Sequence, residues 1–215
     1  SVVFTFNKHP KSVLKGQSPS ILTSYNERIE LFRDSEIDIV VSVEFCDDFA
    51  SLDYAVFVEL FLSKLCGMVH MIGGYDVHVG SERTGTASKL SSLGEAQQFT
   101  FESISALKNE DGSVVSSSAI RALLIDGNVE KVIPMFGRPY KTVGHVGYGD
   151  GRGASLGYPT ANITLVDELK LVPAPGVYAV KLLLTENGVP RKINGMLNYG
   201  LVPTIHKGGL QEPRI

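Results

Sequence analysis

Residues 147–162 read GYGDGRGASLGYPTAN, five glycines followed by a Pro-Thr-Ala-Asn ending. Glycine reaches positive φ values and lets the backbone approach a ligand closely, so consecutive N–H groups can converge on an anion. The stretch therefore predicts a loop that binds phosphate. The alternative is a glycine-rich hairpin with a Pro-Thr turn and no ligand, because short glycine motifs often occur without one.

Thr160 and Asn162 close this stretch and lie two residues apart. If the backbone is extended there, their side chains leave from the same face. They can then present two neutral oxygen atoms to one hard cation. This pairing favours Mg²⁺ bound together with a nucleotide.

Three blocks in the second half of the chain occur in the order found in riboflavin kinases. Residues 144–162 resemble the family pattern G-x-V-x-x-G-x-G-R-x-x-x-L-G-(F/Y)-P-T-A-N, residues 173–178 resemble P-x-x-G-V-Y, and residues 198–204 resemble N-x-G-x-x-P-T. The resemblance implies phosphorylation of riboflavin by ATP, with Mg²⁺ held by Thr160 and Asn162.

The same resemblance implies that the glycine-rich loop covers the ATP phosphates and that Asn198 lines the flavin pocket. For Arg152 and Asn198, the sequence also allows roles without a ligand. Arg152 can be a solvated loop arginine, and Asn198 can be a structural cap before a glycine turn. The implied nucleotide-binding residues of the loop are Gly147, Gly149, Arg152, Gly153 and Gly157.

The first half resembles the nucleotidyltransferase domain of bifunctional bacterial FAD synthetases. Residues 5–10 are similar to the family's T-F-x-P-H-P, residues 74–80 to G-x-D-F-x-F-G, residues 116–121 to S-S-(S/T)-x-I-R, and residues 136–140 to the joint before the kinase. The chain departs from the pattern at Asn7-Lys8, and at Val77 and Val79, where aromatic residues are usual. The resemblance implies a second reaction, adenylylation of FMN by ATP to give FAD.

For that reaction the resemblance implies nucleotide contacts from Ser116, Ser117, Ser118, Arg121 and His9, and a flavin contact from Asp76. Hydroxyls, amides and a guanidinium at the head of a helix suit phosphate groups. The alternative for the serine block is a helix cap with an arginine facing water.

The family's catalytic groups are absent from these 215 residues. The kinase base is a glutamate expected after Ile215, and the H-x-G-H motif of the transferase is expected, with the first strand, before Ser1. We therefore name no catalytic residue and expect a longer natural chain. The rival interpretation is a catalytically silent flavin or nucleotide binder.

Composition narrows the protein class. Hydrophobic residues make up 43% and charged residues 20%, which is typical of globular proteins. The net charge of −3 provides no basic field for nucleic acid, so any phosphate chemistry is expected to involve small nucleotides. The resemblance to FAD synthetases implies ATP, riboflavin and FMN as these small-molecule partners. No membrane span or signal segment is recognisable. Cys46 and Cys66 are predicted to be free, buried thiols, which favours the cytoplasm.

The pattern of elements predicts an α/β fold followed by a β fold. Strands at residues 1–6, 37–45, 68–72 and 98–104, with helices at 24–33 and 52–65, predict a doubly wound, Rossmann-like sheet in a domain of residues 1–137. His9 and Asp76 fall at the carboxyl ends of its strands. After two short helices at 117–126 and 129–136, alternating runs such as 177–184 predict a small antiparallel β-barrel in residues 138–215.

Overall fold

The structure is a computed structural model that describes residues 1–14, 19–147, 157, 160–186, 189–201 and 213–214. Contacts between residues divide the chain into two compact units, Ser1–Val115 and Ser116–Ile215. Helices and strands mix in the first unit, while antiparallel strands predominate in the second. None of the helices within these described ranges is long and apolar enough to cross a membrane.

The first unit contains two parallel strand pairs. β1 (Val2–Phe6) pairs with β2 (Ile39–Val43), and β3 (His70–Gly74) pairs with β6 (Thr100–Ile104). The predicted parallel α/β layering is confirmed, but within the described residues no strand joins the two pairs into one sheet. In the chain segment that connects β3 to β6, β4 (His78–Val79) and β5 (Gly85–Thr86) form a short antiparallel pair.

Helices connect these strands. A serine and a glutamate three residues apart predict a capping box at Ser24, and the structure confirms it. The Ser24 Oγ accepts a hydrogen bond from the N–H of Glu27 at 3.3 Å, and the Glu27 carboxylate accepts one from the N–H of Ser24 at 2.9 Å. The helices of the first unit are α1 (Pro10–Leu14), α2 (Tyr25–Arg33), α3 (Asp47–Ala50), α4 (Tyr54–Phe57), a π-helix (Val58–Leu65), a 3₁₀ turn (Ser81–Arg83) and α5 (Ala87–Gln97).

The core of the first unit is built around the π-helix. Its buried members are Phe57, Val58, Leu62, Leu90 and Phe99, and phenylalanines from β1, α3 and the π-helix pack against them.

The spacing of Phe57, Leu60, Phe61 and Leu65 in the sequence predicts a buried stripe along one face of a helix, and this prediction is only partly correct. Leu60 is 45% exposed and Leu65 is 70% exposed, whereas Val58 and Leu62 are buried. In a π-helix the backbone bonds link residues five apart rather than four, so the spacing of the inward face changes.

In the second unit, two helices precede a set of antiparallel strands. The helices are α6 (Ser117–Ile125) and α7 (Val129–Phe136), which confirms the two short helices expected from the sequence, and Gly127 at φ +76° lies between them. The strands are β7 (Gly144–Gly147), β8 (Asn162–Leu165), β9 (Gly176–Glu186), β10 (Val189–Leu201) and β11 (Pro213–Arg214). β7 pairs with β8, while β10 pairs with both β9 and β11. The antiparallel arrangement is confirmed, but the described strands do not close into a barrel.

The two cysteines are free, but the prediction that both are buried is wrong. Cys46 is exposed and Cys66 is partly exposed. Each lies at the end of an element, Cys46 as the N-cap of α3 and Cys66 as the C-cap of the π-helix. Residues at element ends emerge toward solvent, which their apolar sequence neighbours do not reveal.

Candidate functional site

The predicted nucleotide-binding block at residues 116–121 forms the start of α6. Ser116 is the N-cap, and its Oγ accepts a hydrogen bond from the N–H of Ala119 at 3.2 Å. For Ser116, the alternative interpretation of the serine block as a helix cap is therefore confirmed. Ser117 and Ser118 are exposed in the first turn, and Arg121 is half-buried one turn later.

The first turn of α6 carries no acidic side chain. The positive end of the helix dipole and the exposed hydroxyls can therefore both act on an anion at this turn. Ile120 and Leu124, which are 5% and 0% exposed, are the buried residues of this helix and fix its orientation.

His9 and Asp76 belong to the first unit and follow the carboxyl ends of β1 and β3, as predicted. The Nδ1 atom of His9 accepts a hydrogen bond from the N–H of Lys11 at 3.1 Å, which orients the ring. The Asp76 side chain is exposed, in a turn closed by the bond from the N–H of Val77 to the carbonyl of Gly74 at 3.0 Å. Carboxyl ends of parallel strands are where α/β sheets bind ligands.

Lys8, where the family pattern has proline, forms an exposed ion pair with Glu44. Its Nζ atom lies 2.7 Å from Glu44 Oε1. The hydrogen bond from Lys8, and then its charge, hold the pKa of the Glu44 carboxyl below its usual range, and Glu44 raises the pKa of Lys8. The ion pair thus links the segments that follow β1 and β2, next to His9 in the sequence. It contributes little to stability, because surface ion pairs are screened by water.

Two arginines at the strand ends were not singled out from the sequence. Arg28, on α2, donates through Nη2 to the carbonyl of Phe6 at the end of β1, and burial lowers its pKa. Arg83 lies in the β4–β5 loop with its Nη2 atom 3.1 Å from Nδ1 of His78. Both bring cationic groups to the segments that hold His9 and Asp76.

The β4–β5 loop has an unusual backbone. Glu82 and Arg83 have φ values of +53° and +58°, a region that non-glycine residues rarely occupy. Gly80 and Gly85 flank the loop, and a Cβ atom at either would collide with Tyr54. The sequence signal for this loop is the pair of glycines on either side of Ser-Glu-Arg-Thr.

In the second unit, β7 and β8 bring two of the predicted kinase residues together. Gly147 pairs with Asn162 across the antiparallel ladder, and Thr160 precedes β8 by two residues. Asn162 is half-buried and Thr160 is exposed. Gly144, which pairs with Leu165, has no space for a side chain because a Cβ atom would collide with Ile163.

The remaining loop residues are only partly described. Gly157 has φ +84°, a value that favours glycine, so this position requires the residue that the motif supplies. The other predicted phosphate-binding residues of the loop, Gly149, Arg152 and Gly153, lie outside the described residues.

Asn198, predicted to contact the flavin, lies on β10 opposite Val177 of β9. Both are exposed, and the neighbouring residues Leu197 and Tyr178 are half-buried on the other face of the hairpin. Asn198 therefore lies within a regular strand, and its side chain is available on the open face of the ladder.

Models of two protein families match successive parts of the chain. The FAD synthetase model matches residues 1–119, and the riboflavin kinase model matches residues 136–212. The first match alone covers more than half of the sequence.

Curated relatives match nearly the whole chain, and all three described here are bifunctional riboflavin kinase/FMN adenylyltransferases. The protein of Buchnera aphidicola (subsp. Schizaphis graminum) is 33% identical over 95% of this chain and 64% of its own. That of Bacillus subtilis is 32% identical over 99% and 66%, and that of Escherichia coli K12 is 31% identical over 95% and 64%. The chain thus spans slightly less than two thirds of these relatives.

One solved structure is similar in fold to this chain. It is described as a macrolide-efflux protein from Streptococcus pneumoniae and is 29% identical, with a TM-score of 0.83 over 99% of this chain and 66% of that one.

Proposed function

Since the chain belongs to the FAD synthetase family, we propose that the protein makes FAD from riboflavin in two ATP-dependent steps. In the first, the terminal phosphoryl group of ATP passes to riboflavin and yields FMN and ADP. In the second, the adenylyl group of another ATP passes to FMN and yields FAD and pyrophosphate. The observation that carries this proposal is the order of two family matches on one chain, FAD synthetase and then riboflavin kinase.

We also propose the finer fold and domain boundaries expected from the sequence: a doubly wound, Rossmann-like transferase domain in residues 1–137 and a small β-barrel kinase domain in residues 138–215. In support, Phe4 of β1, Met71 of β3 and Phe101 of β6 pack against the same buried cluster, so both parallel pairs share one core. For the barrel, the support is the set of antiparallel pairs formed by β7 to β11.

For phosphorylation, the proposed ATP site is the loop with Gly147, Gly149, Arg152, Gly153 and Gly157. Backbone amides can approach phosphate closely where glycine removes the side chain, and a loop arginine adds a positive charge. Phosphoryl transfer depends chiefly on positioning and on neutralising the charge of the transferred group. Asn198, on the open face of the β9–β10 hairpin, is proposed to contact the flavin.

Thr160 and Asn162 fit a magnesium ion bound with ATP. Their hydroxyl and amide oxygens are hard, neutral ligands, and Mg²⁺ commonly binds few protein groups together with phosphate and water. When bound, the ion would neutralise phosphate charge. The pairing of Asn162 with Gly147 joins the proposed metal ligand to the first residue of the phosphate loop, so one strand pair can orient both.

For adenylylation, Ser116, Ser117, Ser118 and Arg121 are proposed to bind ATP phosphates at the start of α6. Ser116 does so through its backbone, because its hydroxyl already caps the helix. His9 is proposed to contact the nucleotide and Asp76 the flavin. These are binding and orienting roles, with no proton transfer assigned to any of these residues.

The proposed substrates and the free cysteines also favour one cell compartment for these reactions. ATP and FMN are intracellular small molecules, and two free cysteines are usual where thiols stay reduced. We propose that the reactions take place in the cytoplasm, with small molecules as the partners.

The first test is Asn162→Ala in the full-length protein, measured as riboflavin phosphorylation at saturating Mg²⁺. We expect kcat to fall by about two orders of magnitude, because the variant lacks one ligand of the magnesium ion that neutralises the phosphate charge. The matched control is Thr164→Ala, two residues further along β8 on the same face but opposite His145 instead of Gly147.

Normal turnover of Asn162→Ala would remove this residue from the site. If the unmodified full-length protein bound ATP and riboflavin but formed neither FMN nor FAD, the silent binder would replace the proposed enzyme.

A further inference from the structure

The C-terminal end of α6 is hydrogen-bonded to the segment that immediately precedes β9. The N–H of Ala174 donates to the carbonyl of Leu124 at 2.9 Å. This carbonyl lies in the last turn of the helix and also accepts a hydrogen bond from the N–H of Gly127 at 3.0 Å. Leu124 is fully buried, so the bond involves a residue that is enclosed by the protein.

Tyr178 strengthens the same junction. Its hydroxyl donates to the carbonyl of Ala174, so Ala174 is bonded on both sides of its backbone. The tyrosine also covers the turn that ends α6: a Cβ atom built on Gly127 would lie 3.4 Å from Tyr178 Oη and 3.5 Å from Ala174 Cβ. These are ordinary packing distances, so the turn and the tyrosine are in contact.

The opposite end of α6 carries the proposed nucleotide-binding turn. The helix has nine residues and is therefore about 13 Å long. Ile120 and Leu124 are buried on one face and prevent rotation about the helix axis. With its C-terminal end held by Ala174 and Tyr178, the direction of the helix sets the position of Ser117, Ser118 and Arg121.

These two anchoring residues lie in the part of the chain that matches the riboflavin kinase family, residues 136–212, whereas the match to the FAD synthetase family ends at residue 119. We propose that Tyr178 and Ala174 are positioning residues for the adenylylation step: they hold α6 so that its first turn meets the phosphates of ATP. This inference rests on the proposed function, because it names the residues that orient the proposed ATP-binding turn of α6.

The test is Tyr178→Phe in the full-length protein, with Tyr140→Phe as the matched control. Tyr140 also donates its hydroxyl to a backbone carbonyl, that of Leu171 at 2.7 Å in the same unit, but this bond does not reach α6. Both variants lose one tyrosine–carbonyl bond, so a general loss of stability affects them alike.

Two readouts are expected to change in Tyr178→Phe and not in Tyr140→Phe. Amide hydrogen exchange in α6 should accelerate about threefold to tenfold, because losing one neutral hydrogen bond loosens the local structure by that order. The KM for ATP in adenylylation should rise by about the same factor. The KM for ATP in riboflavin phosphorylation should not change in either variant.

The outcomes separate the inference from the function. Unchanged exchange in α6, or an equal effect of both tyrosine variants, would overturn the inference. If the full-length protein made no FAD, the proposed function would fail, and exchange together with ATP binding would decide the inference alone. If Tyr178→Phe does not fold, Ala174→Pro, which removes the N–H bonded to Leu124, must give the same two changes, and their absence would refute the proposal.

Discussion

Gly80 shows how much a single missing side chain can matter. It has φ +75°, and a Cβ atom there would overlap the backbone of Tyr54 at the start of α4. Gly67 has a similar φ of +65°, but nothing lies within 4 Å of its would-be Cβ atom. The two positions thus share a positive φ and differ in the space available.

We expect Gly80→Ala to lower the free energy of unfolding by about 2–4 kcal/mol, because it adds overpacking to left-handed strain. Gly67→Ala should lower it by only about 1 kcal/mol, the strain alone. Urea unfolding of both variants measures the difference. Equal losses would show that the loop moves away from Tyr54 at little cost.

Single residues were predictable from sequence where the chemistry is local. The Ser24 capping box follows from a serine and a glutamate three residues apart, and both bonds are present. The exposure of Cys46 was not predictable in this way, because it depends on where β2 ends and α3 begins. Roles such as that of Asn198 remain predictions, since they depend on a ligand.

At the scale of elements, the π-helix at Val58–Leu65 decides which side chains form the core. Leu62 is 9% exposed, whereas Leu65, one α-helical turn later, is 70% exposed. An α-helix through this segment would put both on neighbouring parts of the same face. The π-helix therefore predicts different effects of substitution at Leu62 and Leu65, whereas an α-helical stripe would predict similar ones.

We expect Leu62→Ala to cost about 2–4 kcal/mol, as large-to-small substitutions in cores do. Leu65→Ala should change stability by less than about 0.5 kcal/mol, as is usual for exposed positions. The urea midpoints of the two variants provide the measurement. A cost at Leu65 equal to that at Leu62 would restore the α-helical stripe.

Element types were predicted more reliably than bounds and connections. The strand expected at residues 68–72 begins at His70 and ends at Gly74, and α5 (Ala87–Gln97) was missed. That helix has few apolar residues, and its buried positions are Leu90 and Gly94, so it lacks the periodic stripe that reveals a helix. Whether parallel pairs join in one sheet depends on long-range pairing, which local patterns do not encode.

At the scale of the whole molecule, the two proposed reactions use separate nucleotide-binding segments. Arg121→Ala should lower kcat/KM for adenylylation of FMN by about ten- to a hundredfold, the cost of losing a charged contact to phosphate. Phosphorylation of riboflavin should stay within twofold of its original rate, since Gly147 and Asn162 are unchanged. Steady-state assays of both reactions measure this selectivity.

The control for this prediction is Lys131→Ala, which removes an exposed cation from α7. It should affect neither reaction. If Arg121→Ala reduced both activities in parallel while thermal stability was preserved, one shared nucleotide site would have to replace the two-site proposal.

The contact of Ala174 and Tyr178 with the end of α6 also bears on how such proteins can exchange parts by recombination. A crossover at residue 137 would join helices from one parent to a β9 strand from another, and the two sides of this contact would then have different origins. A crossover ahead of Ser116 would transfer both sides together, because the compact unit begins there. Viable chimeras of related proteins should therefore arise more readily from the earlier exchange point.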